Sequence, residues 1–371
     1  MESGKKKKHV LKWVIRILAG LLGLVILAAA GYAAYLLIAY HRIEDHRALD
    51  VKRGGTIIAR VSAGDAYPYR IVSYNIGFGA YEADYGFFMD GGTESWAWSE
   101  ERLDRNLKKI SALLKEQAAD FYILQEVDYD STRTYHVDER AYMADTLSSY
   151  CYDEAQNFDS PFLFYPFHQP HGNARSCLMT FSAYHTESAE RISLPVEDSL
   201  MKLLDLDRCY SISRIPVRNG GELVLYNFHL SAYTSDGTIA TEQLKMLLRD
   251  MQAEYEKGNY CIAGGDFNKD LSSDAEKYFH TKAGDQSWAK PLPEDLFDGY
   301  DVSLVFPYDA LKPVPSCRNA DGPYNPDQFV LTVDGFMVTA NVEVEKSMVI
   351  DTGFAYSDHN PVSMDFILKT E

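Results

Sequence analysis

The stretch YCIAGGDFN, residues 260–268, decides how the whole chain is interpreted. Its apolar first half predicts a buried strand, and its two glycines allow a tight turn directly after that strand. Asp266 and Asn268 are two residues apart, so in an extended chain they lie on the same side and point toward one place. The same residue types are common in ordinary turns. The stretch therefore predicts a strand end that either forms a simple turn or presents a polar site.

The N-terminal region is predicted to be a membrane anchor. Residues 1–16 contain most of the local cations, and residues 17–40 form an uncharged run of 24 residues. Such a run spans a hydrocarbon core of about 30 Å as a helix. The preceding cations predict a cytoplasmic N-terminus and export of the rest of the chain.

A cleaved signal peptide is the alternative for this region, because Ala28–Ala30 resembles a cleavage site. The apolar run continues ten residues past that point, which favours an uncleaved, single-pass anchor. The expected location is therefore the cell membrane, with residues 41–371 outside the cytoplasm.

The distribution of charge bears on the substrate. Residues 1–50 carry eight Lys and Arg against four Asp and Glu, so the rest of the chain carries 28 against 50, a net charge of −22. A surface built for non-specific binding of nucleic acid is basic, and this surface is not. Nucleic acid remains possible as a substrate, because a bound divalent cation inverts the local field.

The exported part is predicted to be one catalytic domain, residues 69–371, joined to the anchor by a polar connector, residues 41–68. A strand at 69–75, a helix that begins after Ser99 and a strand at 121–127 follow in order. If the two strands are parallel, Asn75 and Glu126 lie at the same edge of the sheet.

Short strands dominate the rest of the domain. A hairpin is predicted around residues 220–221, a helix at 238–257, a long irregular stretch at 269–329, and strands around 333–344 and 362–368. Many strands with few helices predict two packed sheets with helices outside, an α/β (α+β) fold.

An aromatic-rich loop occupies residues 77–98, close in sequence to Asn75. Two interpretations stay open for it. The rings contact an amphiphilic substrate, or they belong to the hydrophobic core.

Polar residues recur at the ends of six predicted strands. A single acid or histidine at such a place is usually structural, but six independent coincidences are not expected. The residues are Asn75, Glu126, His229, Asp266 with Asn268, Asp334, and Asp358 with His359.

These motifs resemble the endonuclease/exonuclease/phosphatase superfamily, which includes pancreatic-type deoxyribonuclease, bacterial sphingomyelinases and inositol-polyphosphate 5-phosphatases. The chain is similar to a membrane-anchored, bacterial-type member over residues 69–369. The motifs occur in the family's order: SYN at 73–75, QEV at 125–127, FHL at 228–230, GGDFN at 264–268, VDG at 333–335 and SDHNPV at 357–362.

The resemblance implies a four-layer αββα sandwich of two mixed β-sheets flanked by helices, here preceded by one transmembrane helix. It also implies metal ligands, with Glu126 as the principal one and Asn75 and Asp358 nearby. The expected ion is Mg²⁺, or Mn²⁺ or Ca²⁺, because such ions prefer oxygen ligands.

The resemblance further implies catalytic roles for the other motif residues. Asp266, assisted by Asn268, orients or deprotonates the attacking water. His359 faces the phosphate while Asp334 binds its other ring nitrogen, which favours the charged imidazole. His229 corresponds to a second histidine at the phosphate site.

Two residues remain open at this stage. Arg175 is a candidate for a phosphate contact, and a structural ion pair is an equal alternative. Some family members carry an acid where this chain has Gly77, so the second metal-binding mode of those members is in doubt here.

The sequence therefore predicts a divalent-metal-dependent hydrolase of phosphate esters, acting on a small or lipid-linked ester outside the membrane. An exported nuclease of DNA or RNA is the alternative, and a non-catalytic surface binding module ranks below both. No protein partner is predicted.

Overall fold

The structure is a computed structural model that describes residues 2–55, 57–64, 67–197, 207–218, 220–232, 238–279, 281 and 289–370. The chain divides into two compact units, Met1–Arg42 and Ile43–Glu371. The first unit is one helix, α1 (Glu2–Ala39). Its residues 6–39 are long and apolar enough to cross a membrane, which is consistent with a single-pass anchor and also with a signal sequence.

The second unit contains the remaining elements of the described chain. Its helices are α2 (Glu100–Gln117), α3 (Glu139–Thr146), α4 (Thr238–Tyr255) and α5 (Ala275–Phe279). Its strands are β1 (Arg47–Leu49), β2 (Val61–Ser62), β3 (Tyr69–Asn75), β4 (Phe121–Asp128), β5 (Cys151–Asp159), β6 (Arg175–Ser182), β7 (Ser188–Ser193), β8 (Cys209–Arg218), β9 (Glu222–His229), β10 (Tyr260–Asp266), β11 (Val302–Val305), β12 (Cys317–Arg318), β13 (Val330–Leu331), β14 (Asp334–Thr339), β15 (Val342–Val349) and β16 (Val362–Leu368).

Two mixed sheets form the centre of this unit. The larger has the order β1-β7-β8-β9-β10-β14-β11, with β2 paired to β8, and the smaller has the order β15-β16-β3-β4-β6-β5. The pairs β3–β4 and β9–β10 are parallel, which for β3 and β4 is the condition under which Asn75 and Glu126 lie at the same edge. Strands β12 and β13 form a separate two-stranded ribbon.

The core is arranged in layers. Ile71 and Ile123 of the smaller sheet share one buried cluster with Leu225 and Ile262 of the larger sheet, so the sheets pack face to face. The apolar stripe of α2, at Leu103, Leu107, Ile110 and Leu114, packs on the outer face of the smaller sheet. The stripe of α4, at Leu244, Leu247, Leu248 and Met251, packs on the outer face of the larger sheet. The predicted αββα sandwich is confirmed.

The stretch predicted as a connector, residues 41–68, differs from expectation. From Ile43 onward it belongs to the second unit. Strand β1 pairs with β7 and strand β2 pairs with β8, so the larger sheet uses this stretch to extend its edge. Residues 56, 65 and 66 of the stretch lie outside the described residues.

Two further elements were not separated by the sequence pattern. The region predicted as one strand, 333–344, contains β14 and the start of β15, joined through a turn at residues 340–341. The stretch predicted as irregular, 269–329, contains α5, β11 and β12. Each of these pieces is five residues or fewer, too short for a periodic pattern to emerge.

Candidate active site

Strand register brings the predicted site residues to one end of both sheets. Asp266, the last residue of β10, lies opposite His229 of β9 on one side and Asp334 of β14 on the other. In the smaller sheet, Asn75 at the end of β3 lies opposite Gln125 of β4, beside Glu126. The site is therefore a property of strand ends, where rigid backbone fixes the side chains.

Asn75 lies at the centre of the cluster. Its Nδ2 group donates to Glu126 Oε1 and to Asp266 Oδ2, at 3.1 Å each. Its Oδ1 accepts from the backbone N–H of Gly77 at 3.0 Å, which determines the end of the amide that faces the cluster. In this orientation Asn75 joins two carboxylates from different sheets as a donor and does not present its oxygen. Its role as a metal ligand stays a prediction.

Glu126 reaches the cluster through an irregularity in β4. The register of β4 against β6 shifts between Leu124 and Val127, and Glu126 has a positive φ of 54°. Such a backbone is costly for a residue with a side chain and is typical of functional sites. The β-bulge turns the carboxylate toward the strand ends. Burial and the neighbouring Asp358 carboxylate raise the pKa of Glu126.

Asp266 is held by the residues that follow it. Its Oδ1 accepts from the backbone N–H of Asn268 at 2.8 Å, so Oδ2 is the oxygen that faces Asn75. The side chain of Asn268 donates to the carbonyl of Leu230 at 2.7 Å and ties this turn to the end of β9. Burial raises the pKa of Asp266, and the charge of His359 opposes that rise.

His359 and Asp334 form the predicted pair. The Nδ1 atom of His359 lies 2.8 Å from Asp334 Oδ2, and Ser316 Oγ donates to the same oxygen at 2.7 Å. The other ring nitrogen, Nε2, lies 3.7 Å from Asp266 Oδ2. Burial opposes the charged imidazolium, but Asp334, Cys317 and Asp358 together outweigh it and raise the pKa of His359 well above its usual value.

His229 has the opposite electrostatic character. Its Nε2 lies 3.4 Å from Asp266 Oδ2 and its Nδ1 lies 3.9 Å from Glu126 Oε1. Burial, with the charges of Arg208 and His359, lowers the pKa of His229 well below its usual value. The site therefore holds one imidazole that favours the charged form and one that favours the neutral form.

The two remaining predicted residues differ in their surroundings. Asp358 lines the same cleft as Glu126 and accepts a hydrogen bond from Ser357 at 3.2 Å. Arg175 is half-exposed and pairs with Asp130 at 3.1 Å and Asp159 at 3.4 Å, and it is not among the described residues that line the cleft. The structure does not bring Arg175 into the cluster, so a phosphate contact by this residue stays a prediction.

The position of Gly77 is unfavourable for an acidic residue. Its φ is +54°, and a Cβ atom there would lie 2.9 Å from Tyr81, 3.0 Å from Ser357 Oγ and 3.1 Å from Asp358 Oδ1. A side chain at this place would be strained by the backbone conformation and would crowd these three side chains. The departure from the family pattern noted in the sequence is thus built into the local packing.

Most aromatic residues of the 77–98 loop belong to the core. Tyr81, Tyr85 and Phe87 are buried in one cluster with Phe78, in which the pairs Phe78–Tyr81, Phe78–Phe87 and Tyr81–Tyr85 pack edge to face. Among the described aromatic residues of the loop, Tyr81 is the one that lines the cleft. The core interpretation therefore accounts for most of these rings.

Sequence reasoning missed several residues of the cleft, which has a volume of about 90 Å³. Arg208 and Arg318 line it and are nearly buried, and Cys317 Sγ lies 3.7 Å from His359 Nε2. Arg318 follows Cys317 in the two-residue strand β12, which pairs through Cys317 with His359. No motif marked these positions, because their approach to the site depends on long-range pairing.

The donor set fits a divalent cation. Glu126, Asp266 and Asp358 place carboxylate oxygens on one small cleft, and oxygen ligands of this kind suit Mg²⁺, Mn²⁺ or Ca²⁺. A second group, Asp266, Asp334 and His359, has ligand atoms within 4.8 Å of one another. Asp334 and His359 of this group already bind each other. The predicted ligands Glu126 and Asp358 line the cleft, and their role at a metal stays a prediction.

Comparisons with known proteins agree with this geometry. A sequence model of the Endonuclease/Exonuclease/phosphatase family matches residues 72–359. No curated protein matches the chain.

Among solved structures, an endonuclease/exonuclease/phosphatase from Beutenbergia cavernae is 17% identical with a TM-score of 0.55, and the match covers 82% of this chain and 72% of that one. ANGEL2, a 2′,3′-cyclic phosphatase, is 16% identical with a TM-score of 0.53, over 85% and 100% of the two chains. The human Nocturnin catalytic domain is 15% identical with a TM-score of 0.51, over 86% and 97%.

At these identities the structural matches demonstrate the shared fold. The family match covers most of the chain and includes every strand-end motif of the site. The chain belongs to the Endonuclease/Exonuclease/phosphatase family, whose members hydrolyse phosphate esters.

Proposed function

We propose that this protein is a divalent-metal-dependent hydrolase of phosphate esters that acts outside the cytoplasmic membrane on a small or lipid-linked ester. The observation that carries the proposal is the position of Asn75, which holds Glu126 and Asp266 together from two different sheets. A metal-side carboxylate and a water-side carboxylate are thereby fixed next to each other. The Nε2 atoms of His229 and His359 both lie near Asp266 Oδ2, at 3.4 and 3.7 Å.

The metal would be held by Glu126 and Asp358. When bound, a divalent cation polarises the phosphoryl oxygens and offsets their charge during attack. The protein's own residues supply the rest of the chemistry. Asp266 Oδ2 orients a water molecule and accepts its proton, while Asn268 keeps the other oxygen occupied.

The two histidines serve the phosphate. His359, in its charged form, donates from Nε2 to a phosphoryl oxygen, and Asp334 at Nδ1 fixes the ring orientation. His229 is neutral and provides a second polar contact without adding charge. Charge stabilisation by fixed groups is the main catalytic contribution expected of such an arrangement.

The preference for a small or lipid-linked ester rests on three features. The described part of the cleft is small, the aromatic loop is mainly core, and the chain beyond residue 50 is strongly acidic. A polynucleotide substrate favours a long basic groove with exposed stacking rings. These features support the small ester over the nuclease alternative.

The proposed location rests on the uncharged run at residues 17–40 and on the cations before that run. We expect the N-terminus in the cytoplasm and the catalytic unit outside. Protease added to intact cells should then remove the catalytic unit, and full protection of that unit would contradict the orientation.

The function is tested with the purified full chain in neutral detergent and MgCl₂. The chain should hydrolyse p-nitrophenyl phosphate or bis-p-nitrophenyl phosphate, and EDTA should abolish the activity. Glu126→Gln and His359→Ala should each lower kcat/KM by about a thousandfold. Glu116→Gln and His168→Ala repeat the experiment at exposed positions far in sequence from the motifs and should retain activity.

Unchanged activity in both site variants would overturn the assignment. A panel of plasmid DNA, sphingomyelin vesicles and inositol phosphates then distinguishes the substrates. Hydrolysis confined to plasmid DNA would contradict the proposed small or lipid-linked substrate and would support the nuclease alternative.

A further inference from the structure

A second cavity lies beside strand β1, away from the cleft. It has a volume of about 460 Å³ and shares no described lining residue with the cleft. Strands β1, β5, β6 and β7 and helix α3 contribute to its walls. We call it the cationic cavity, because Arg47, Lys52, Arg140 and Arg191 line it.

Two of these arginines face each other across neighbouring strands. In the antiparallel pair β1–β7, Arg47 is directly opposite Arg191, so both side chains are on the same face of the sheet. Like charges in directly opposite positions destabilise a sheet. An anion bound between the two arginines would remove this repulsion.

Arg191 is buried without a carboxylate partner among the described residues. It is 1% exposed, and its guanidinium donates to the carbonyls of Gln156 and Asp207, at 2.7 Å each, and of Glu44 at 3.2 Å. Its remaining partner is the hydroxyl of Ser193 at 2.8 Å. All of these acceptors are neutral, and burying a charge with only neutral partners is costly. Arg47, in contrast, is exposed, and within the described part of the chain it forms no ion pair.

The other charged groups of the cavity compensate one another. Lys52 pairs with Glu154 at 2.5 Å, and Arg140 pairs with Glu154 at 3.2 Å and with Asp138 at 2.9 Å. The further acid in the lining is Asp50, which is exposed. The described lining therefore holds four cations and two acids, and its net positive charge is left for a ligand to balance.

We propose that the cationic cavity binds a phosphate-bearing anion between Arg47 and Arg191. Four of the five N–H donors of Arg191 already have acceptors, so this residue has one left for a ligand. The guanidinium of Arg47 can meet two phosphate oxygens, and the two positive charges together balance a dianion. The volume exceeds the size of a phosphate ion, so the rest of a ligand fits beside it. A free phosphate compound and the headgroup of an anionic phospholipid share this chemistry. The lipid is one of the two sources to be tested, because Arg47 comes eight residues after Ala39, the last residue of α1.

The first experiment titrates the full chain in neutral detergent with inorganic phosphate by calorimetry. Arg47→Gln should weaken one binding event by about tenfold, the effect of losing a hydrogen bond to a charged group. Arg60→Gln is the matched control, since Arg60 is exposed and outside the cavity lining. The phosphate-binding event that Arg47→Gln weakens should persist in His359→Ala, because the cationic cavity and the cleft share no described lining residue.

Thermal unfolding gives a readout that a merely structural arginine would not produce. Without phosphate, Arg47→Gln should raise the unfolding temperature by about 1–2 °C, because the repulsion across β1 and β7 is relieved. With phosphate, wild type should gain stability and the variant should not. Equal phosphate affinity in wild type and Arg47→Gln, or loss of the event in His359→Ala, overturns the proposal.

The second experiment identifies the source of the anion. The full chain is placed in phosphatidylcholine nanodiscs with and without phosphatidylglycerol, and phosphate is titrated again. If the lipid headgroup occupies the cavity, phosphatidylglycerol weakens phosphate binding in wild type and in Arg60→Gln but not in Arg47→Gln. Equal phosphate affinity in both discs assigns the cavity to a free phosphate compound.

Discussion

The cleft at the strand ends and the cationic cavity beside β1 treat buried charge in opposite ways. In the cleft, His359 is paired with Asp334, and the nearby Arg133 is paired with Asp128. In the cavity, Arg191 has only neutral acceptors among the described residues and a second arginine opposite it. A charge paired inside the protein holds a geometry in place. A charge left unpaired identifies a place where a ligand brings the opposite charge.

Breaking the buried ion pair between Arg133 and Asp128 should have the largest effect on the free energy of unfolding. Arg133 donates to both oxygens of Asp128, at 2.7 and 2.9 Å, and its guanidinium lies 3.7 Å from the centre of the Phe78 ring. Arg133→Met leaves Asp128 buried without its partner, so we expect the free energy of unfolding to fall by about 3–5 kcal/mol. Urea denaturation measures this loss.

Arg105→Met is the matched control for that variant, because Arg105 is exposed on α2. It should leave the free energy of unfolding within about 0.5 kcal/mol of wild type. A loss below about 1 kcal/mol in Arg133→Met would mean that the buried pair does not stabilise this side of the fold.

A single buried carboxylate without a counter-ion should make stability depend on pH. Asp153 of β5 is fully buried, and its described partner is the hydroxyl of Ser213 at 2.6 Å. Burial raises the pKa of Asp153 to about 7 from its ordinary value of 3.8. The folded chain therefore holds this proton more tightly than the unfolded chain does. The stabilisation of the folded chain by this tighter proton binding is full below about pH 4 and is lost as the pH rises to about 7.

Asp153→Asn removes this titration. The stability difference between variant and wild type should change in favour of the variant by roughly 2–4 kcal/mol from pH 4 to pH 8. Urea denaturation at several pH values measures the difference. Asp145→Asn, at an exposed position, should follow wild type at every pH. Parallel curves for wild type and Asp153→Asn would show that Asp153 does not titrate in this range.

Loosening one hydrogen bond behind the active site should have the smallest effect. Ser316 Oγ donates to Asp334 Oδ2 and accepts from the backbone N–H of Val333 at 3.0 Å. Ser316→Ala leaves the pair of Asp334 and His359 in place but less firmly oriented, so we expect kcat/KM to fall by about tenfold. Ser303→Ala on β11 is the exposed control. Identical kcat/KM in both variants would mean that Ser316 does not orient the pair.

Much of the active site was predictable from the sequence because its residues are at strand ends within short motifs. Strand periodicity located Asn75, Glu126, His229 and Asp266, and the parallel pairs β3–β4 and β9–β10 bring them to one edge. The predicted cluster is also where the cleft lies. The orientation of the individual side chains was visible only in the structure. The orientation of the Asn75 amide depends on the backbone of Gly77, which no periodic pattern reveals.

The outcomes for the connector and for Arg175 depend on contacts between distant segments. The predicted connector became part of the larger sheet because β1 and β2 found partners in β7 and β8. Arg175 found Asp130 and Asp159, two acids from other segments, and lies outside the cleft lining. The sequence of the connector and of the segment around Arg175, taken separately, did not show which partners these residues would have.

The sequence by itself determined the anchor-like helix, the two-sheet class and the identity of the strand-end residues, because hydrophobic periodicity and turn chemistry are local. Only the tertiary structure decided which charges meet. It placed Arg318 on the cleft and Arg47 opposite Arg191, because strand register joins residues that are far apart in the chain. The strand-end motifs were therefore recognisable in the sequence, whereas the cationic cavity exists only once the sheet has formed.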